Sequence, residues 1–566
     1  FSLSNQYRAL FGLFTTKNIY KLFLYSFFLI LSLNFIGRIF LFKIPGFKAW
    51  IVLYFIIVSA TSFSRFIYKD TFQKSISLKS KNAKSIAIYG AGGAGRQLHA
   101  SLRMSNLYKV VFFIDDDSSL WFREINGIKI YPPEALKEKR KNIDQIFLAI
   151  PSLTTKKRIK ILNSLQKFNI KISSIPSIAE ITKQESIIDS LKPINVEDLL
   201  ERDAVDPYVH LLSKDIYGTV ICITGAGGSI GSELTRQIIK FNPKKIILLD
   251  NSESNLYQIN SEIESSKNLC REIVPALGDC CNLEFLKNLF KQEKVDVVFH
   301  AAAYKHVPLV EINPLNSINN NVFSTLNICI ASKKLSIKKV LMISSDKAVR
   351  PTNIMGASKR LSEIIVQAFA NDALKNSLNE KEQKTCFSMV RFGNVLSSSG
   401  SAVPLFIKQI SSGGPVTLTH PKITRYFMTI KEASQLVIQS SAMAQGGEVF
   451  LLDMGKPICI KDLVIKLIKL SGLQLKDNSN PYGDIEIKIT GLRPGEKLFE
   501  ELLIDAEAEK TDHPLIFRAK ENFIMMDEII PKLENLKKNI KERNIAQTLK
   551  VLNELVKEWE NQNKKN

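Results

Sequence analysis

The stretch of this chain most able to do chemistry is short: Ser344-Ser345-Asp346-Lys347, with Met355 and Lys359 a little further on. An apolar run at residues 339–344 (KVLMIS) leads into it, so Ser345, Asp346 and Lys347 follow a predicted strand end. A carboxyl next to an amine offers an acid and a base within a few bonds of each other. Lysine acts as a base only when neutral, so burial or a nearby cation must lower its pKa. The competing reading is a surface ion pair, worth little. A strand end in this kind of fold faces a ligand crevice, which favours the chemical reading.

A second group of residues could hold a dinucleotide. Thr224-Gly225-Ala226-Gly227-Gly228-Ser229-Ile230-Gly231 lies between an apolar run at 219–224 (TVICIT) and a helical pattern at 232–240. Glycine permits the tight turn and close approach to a pyrophosphate, and the following helix start offers unpaired N–H groups. Gly225, Gly228 and Gly231 have GxxGxxG spacing, and Asp250 ends the next strand 19 residues after Gly231. A carboxylate there accepts from a ribose diol and repels a 2′-phosphate. Asn251, not Arg, follows, so the expected cofactor is NAD rather than NADP. Asp279 could accept from an adenine amino group, and Ala301, heading a run of three alanines, lets a cofactor lie close to backbone.

These groups need elements to position them. Strand-like runs at 219–224, 245–250, 296–300, 339–344 and 387–391 alternate with helical stretches, which is the pattern of a doubly wound parallel sheet over residues 201–520. A smaller unit of the same kind occupies 71–200, with strands expected at 85–89, 110–115 and 145–150. Its turn carries Gly90, Gly92 and Gly95, with Asp115 20 residues beyond Gly95. That fits a second dinucleotide site, but no Ser/Lys unit follows; nucleotide binding and a relic fold used for regulation or assembly both stay open. Residues 521–566 read as one or two amphipathic helices, with no chemistry assigned.

Residues 1–70 are far more apolar. Residues 22–42 and 49–67 each approach the ~20 residues that span a bilayer. A Pro-Gly breaker between them makes a helical hairpin, and a pair of buried core helices is the competing reading. Arg65, Lys69, Lys74, Lys79, Lys81 and Lys84 follow, so this flank is expected in the cytoplasm, with everything after residue 70. No small-residue cleavage site follows the first run, so no cleavable leader is expected. The chain opens on Phe1 rather than Met, which leaves room for further spans ahead of it. The net charge is +22, yet no nucleic-acid-binding signature accompanies it; basic residues beside the apolar runs suit anionic lipid. Seven cysteines with no CxxC pair fit free thiols in a reducing compartment.

The run SSDKAVRPTNIMGASKR, residues 344–360, is similar to the polysaccharide-biosynthesis dehydratases, the UDP-N-acetylglucosamine 4,6-dehydratases. The order of strand, Ser, then a residue-x-x-x-Lys unit resembles the extended short-chain dehydrogenase/reductase superfamily. The resemblance covers nearly the whole chain and points to its long, membrane-bound branch. It implies an α/β protein with two Rossmann-like domains preceded by transmembrane helices, at the cell inner membrane with the catalytic domains in the cytoplasm. Met355 stands where most of the superfamily has an ionisable Tyr; the long dehydratases share it, and it speaks against a general epimerase.

The implied chemistry is internal redox with NAD. Hydride leaves C4 of the sugar, the C5 proton and C6 hydroxyl are lost as water, and hydride returns to C6. Asp346 would be the acid at the C6 hydroxyl, Lys347 the base at C5, Ser345 a donor to the 4-oxygen, and Lys359 a partner of the nicotinamide ribose. The base for the 4-hydroxyl is open between Asp346 and a water on Ser345. On the substrate side, Lys305 and His306 would line the sugar pocket, Asn394, Arg425 and Arg493 would meet the diphosphate, and Glu496 a ribose diol. No metal is expected. The expected partners are a UDP-sugar, membrane lipid and further copies of the chain, with no nucleic acid. A nucleotide-sugar epimerase and a non-catalytic NAD-binding membrane scaffold are the rival readings.

Overall fold

The computed structural model describes residues 16–40, 46–78, 83–105, 107–151, 153, 155–168, 170–174, 192–193, 205–265, 272–375, 384–501, 508–519 and 521–559. The chain forms two compact units, 1–151 with 175–191, and 152–174 with 192–566.

The first unit begins with helices Thr16–Ile39 and Phe47–Leu78, joined where the Tyr54 hydroxyl donates to the Phe23 carbonyl (3.2 Å). Phe28, Phe35, Phe55 and Ile56 leave their side chains exposed. Phe47–Ser64 is long and apolar enough to cross a membrane; the apolar part of the first helix, Phe23–Ile39, is shorter. One helix of spanning length is thus found among the described residues, and the expected first span, 22–42, runs past them at 41–42. The breaker at 43–45 and the basic side chains at 65–81 lie outside them. The sheet that follows has the order Glu124–Ile125, Ile128–Tyr131, Tyr108–Ile114, Lys84–Tyr89, Gln145–Leu148. Lys84–Tyr89 runs parallel to both neighbours. Its apolar run is continuous because both faces are covered.

The second unit is built on nine strands. Seven are parallel, in the order Ile273–Leu277, Lys245–Asp250, Val220–Thr224, Val297–His300, Lys339–Ile343, Cys386–Arg391, Val449–Leu452. Ile516–Ala519 and Ala508–Lys510 add an antiparallel edge. The chain order reverses between Val220–Thr224 and Val297–His300, and a ligand crevice opens at such a switch point. A hydrophobic cluster covers each face. The expected tail helices are Met526–Lys541 and Ile545–Leu555, and Leu533, Leu536, Val551 and Leu552 place them in one of these clusters.

Charge is buried beside that cluster. Arg391, fully buried, donates to both Glu363 oxygens (2.6 and 2.5 Å) and to Glu521 (2.6 Å). Glu363 also accepts from the Ser344 hydroxyl (2.6 Å) and pairs with Arg360 (3.2 Å). Burial alone would raise the Glu363 carboxyl, but Arg391 and Arg360 hold it below the ordinary glutamate value. Breaking a buried pair leaves an uncompensated charge, so Arg391→Met is expected to cost about 3–5 kcal/mol, read from urea unfolding. An unchanged midpoint would remove this network as a support of the strand that carries Ser344.

Candidate active site

The glycine turn and Ser345 to Lys347 follow strand ends, and Met355 and Lys359 lie in the first turns of a helix. The turn after Val220–Thr224 runs Gly225 to Gly228, and helix Ser229–Ile238 starts from it. Gly225 has φ +65°, and a Cβ there would lie 2.9 Å from Ala302 Cα; a Cβ at Gly231 would lie 2.0 Å from the Gly225 carbonyl oxygen. Only glycine lets strand, turn and helix close this tightly. Asp250 Oδ2 accepts from the Gly227 N–H (2.9 Å) and Oδ1 from the Ser252 N–H (2.9 Å), so the strand-end carboxylate braces the turn. Thr224 is buried beneath it, 2.7 Å from His300 Nδ1. Burial, with the Lys359 charge second, holds His300 down to about 3, so its ring is a neutral strut.

Strand Lys339–Ile343 delivers Ser345, Asp346 and Lys347 to the same end of the sheet. A short turn, Asp346–Ala348, follows, because the Ser345 hydroxyl oxygen accepts from the Lys347 N–H (3.2 Å). Asp346 Oδ1 accepts from the Ser345 hydroxyl (2.9 Å) and from Lys347 Nζ (2.9 Å). Its Oδ2 is buried without a partner, and a Cβ on Gly393 would stand 3.1 Å from it. Lys347 Nζ also donates to Asn394 Oδ1 (3.1 Å) and lies 3.6 Å from Glu500 Oε1.

Helix Ile354–Lys375 supplies Met355 and Lys359, both buried. The Asn353 side chain starts that helix by accepting from the Gly356 N–H (2.8 Å). Lys359 Nζ donates to the Ile343 carbonyl (2.7 Å), and burial pushes its amine down to about 8. Lys347 differs. Burial presses it downward, but the carboxylates of Asp346 and Glu500 more than offset this and raise it above the ordinary lysine value. The expectation of a lowered Lys347 is corrected for the free protein: its closest charges are carboxylates rather than cations.

One cleft of about 750 Å³ gathers most of these groups. Its lining includes Gly225, Gly228, Ser229, Ile230, Gly231 and Ala301, with Ser345, Lys347, Met355, Lys359 and Asn394, and also Lys305 and His306. Burial lowers both Lys305 and His306, and Lys305 depresses His306 further. Asp346 is not among the residues that line the cleft; its Oδ2 lies behind Gly393, where a Cβ would stand 3.1 Å from it. Asp279 lies off the cleft, with Oδ1 accepting from the Cys281 N–H (2.8 Å). Arg425, Arg493 and Glu496 also lie off it. Arg425 is buried and spends its donors on the Thr424 and Leu498 carbonyls (2.7 and 3.3 Å) and on Glu496 (3.5 Å). Glu496 in turn accepts from the Arg493 N–H (3.1 Å).

Two parts of the site had no signal in the sequence. The loop at 398–402 lines the cleft and is tied to the cofactor turn, its Ser399 N–H donating to the Ser229 hydroxyl (3.1 Å). Glu500 sits against Lys347 across the fold. The six described cysteines are free; Cys270 is outside the described residues.

A parallel sheet reversing beside a glycine turn, with Ser345 and Lys359 in one cleft, defines a dinucleotide-binding domain of the short-chain dehydrogenase/reductase type. Comparison with known proteins carries this further. Residues 221–521 match the family model described as polysaccharide biosynthesis protein, and residues 85–164 that of the PglD N-terminal domain. The capsular polysaccharide biosynthesis protein CapD of Staphylococcus aureus is 41% identical over 483 residues, 83% of this chain and 76% of that protein. A UDP-glucose 4-epimerase of Rickettsia massiliae and a UDP-N-acetylglucosamine 4,6-dehydratase (inverting) of Campylobacter jejuni are each 31% identical, over 52% of this chain and 80% of theirs. The chain belongs to the polysaccharide biosynthesis protein family, within the extended short-chain dehydrogenase/reductase superfamily.

Proposed function

We propose that this protein is an NAD-dependent 4,6-dehydratase of a UDP-N-acetylhexosamine, UDP-N-acetylglucosamine first, serving surface polysaccharide synthesis. The observation that carries the reading is Lys347, on the wall of a cleft that the glycine turn also lines, paired at 2.9 Å with the buried Asp346 behind Gly393. The turn suits NAD: Gly225, Gly227 and Gly231 leave no room for a Cβ, and Asp250, at the end of the next strand, is the acceptor proposed for a ribose diol. When bound, NAD accepts a hydride from C4 of the sugar and returns it to C6.

The remaining work is proton transfer, and the atoms balance if Asp346 enters ionised and Lys347 neutral. Asp346 Oδ2, buried and partnerless, takes the proton of the 4-hydroxyl as the C4–H bond breaks. The carbonyl so formed acidifies C5, and Lys347 Nζ takes the C5 proton. Asp346 gives its proton to the 6-hydroxyl, which leaves as water. Lys347 then returns its proton to C5. Each side chain ends as it began. Ser345 holds Asp346 Oδ1 and faces the 4-oxygen. Lys359 supports the nicotinamide ribose, and Lys305 and His306 face the sugar and its phosphates. Arg493 and Glu496, off the cleft in the free protein, are the residues proposed for the diphosphate and the uridine ribose, with Arg425 bracing Glu496.

The Asp346–Lys347 pair favours dehydration over epimerisation. An epimerase also needs a proton acceptor at O4, but it has no task for an acid and a base at C5 and C6. The test is incubation of the full chain in detergent with UDP-N-acetylglucosamine and NAD. The product is expected to be lighter by one water with no added reductant consumed; an isomer of unchanged mass would move the reading to an epimerase.

Because Asp346 and Glu500 hold Lys347 charged in the free protein, kcat/KM is expected to rise from pH 7 toward pH 10 as Nζ loses its proton. A profile falling over that range would remove Lys347 as the base. On the membrane side, Phe47–Ser64, long and apolar enough to cross a bilayer, supports reading the protein as anchored at the inner membrane.

A further inference from the structure

Glu500 lies outside the stretches that suggested catalysis. It follows the turn at Gly495 and reaches the back of the Asp346–Lys347 pair. Its side chain is 3% exposed. Oε1 is 3.6 Å from Lys347 Nζ and 3.6 Å from Arg425 Nε, and Oε2 is buried with no partner. A buried carboxylate with a free oxygen is costly unless a charge compensates it. The compensating charges are Lys347 and Arg425. The charged groups facing Lys347 are therefore Asp346 from its own turn, and Glu500 and Arg425 from the segments packed behind it; Glu496 shares Arg425 from the far side. Asn394 is the neutral contact.

We propose that Glu500 is a positioning residue for Lys347: its carboxylate holds Nζ between itself and Asp346 and sets how readily that amine gives up its proton. The proposal deepens the dehydratase reading, resting on it for the consequence in turnover but not for the contact itself. With Glu500 ionised, the amine is flanked by two carboxylates and keeps its proton to higher pH. Arg425 limits this by sharing Glu500. Glu500 thus fixes where the base stands and the pH at which it becomes one, without touching substrate.

The experiment is competitive acetylation of the full chain by trace acetic anhydride across pH 7–11, with Lys347 followed by peptide mass spectrometry and no sugar present. Glu500→Gln keeps the shape and removes the charge. Its Lys347 curve is expected to move down by about one pH unit, roughly tenfold faster labelling on the rising limb, as for loss of an opposite charge within 4–6 Å. Glu500→Asp, which keeps the charge but withdraws it, is expected to lie between Gln and wild type, and it decides the matter if the Gln variant fails to fold by circular dichroism. Superimposable Lys347 curves in the folded variants would overturn the proposal. The rising limb of UDP-N-acetylglucosamine turnover is expected to shift with the labelling curve. A moved labelling curve with an unmoved turnover limb would sustain the Glu500 contact and instead remove Lys347 as the base.

Discussion

Lys347→Ala is expected to lower turnover of UDP-N-acetylglucosamine by about 10²–10⁴-fold, the usual contribution of a positioned base, while NAD stays bound. The two effects separate because the residues proposed to frame the cofactor, Gly225 to Gly231 and Asp250, make no contact with Nζ; that amine touches Asp346, Asn394 and Glu500. The substitution also removes the cation that Asp346 and Glu500 share, leaving Glu500 with Arg425 alone, and the variant is expected to lose stability most at alkaline pH. NAD released on denaturation, against product formed before it, checks both halves. Full turnover by the variant would take Lys347 out of the chemistry, and an empty but folded variant would move it into the cofactor site.

Lys359→Met is expected to abolish hydride transfer to a similar degree and yet to make the protein more stable. Lys359 is 6% exposed, its Nζ has one carbonyl acceptor, and burial brings it down to about 8. The sign follows from linkage. A lysine lowered in the folded state favours unfolding at every pH where the unfolded lysine is charged. That penalty is complete below about pH 8 and fades toward the ordinary lysine value of 10.5. Removing the amine is therefore expected to add stability at pH 7, on the order of 3 kcal/mol at most, and to add none near pH 11. Thermal melts at the two pH values measure this. A melting temperature that falls at pH 7 would show that the bond to Ile343 outweighs the cost of burying the amine. Function held at the expense of stability is expected where a charge must face a ligand.

The parts legible in the sequence are those written locally. The strands at 220–224, 245–250 and 339–343 came from continuous apolar runs, since both faces of a parallel sheet are covered, and they fall within a residue or two of expectation. The glycine turn and Asp250 were visible because their spacing is set by backbone closure within one strand–turn–helix unit. Asp346 and Lys347 are neighbours in the chain, so their pairing needed no fold to bring them together.

What was not legible is what the fold joins at long range. Glu500 meets Lys347 from 153 positions away, and no period or spacing encodes that contact. Arg425 reads as a phosphate ligand because guanidinium suits phosphate. Its inward turn to Thr424, Leu498 and Glu496 is decided by packing of the segment at 496–500. The tail helices showed their apolar stripe but not its destination, the cluster beside Ile354–Lys375. An apolar stretch counts as a span by its continuous length; within the described residues the first helix offers Phe23–Ile39, and the expected run continues to 42, outside them.

The central claim is that one hydride leaves C4 and comes back at C6 while Asp346 and Lys347 move the protons between. UDP-N-acetylglucosamine carrying deuterium at C4, incubated with the full chain and unlabelled NAD, tests it directly by mass spectrometry and NMR of the product. The expected product has lost one water and bears the deuterium on its new C6 methyl group. Deuterium found again at C4, in a sugar of unchanged mass, would contradict the account.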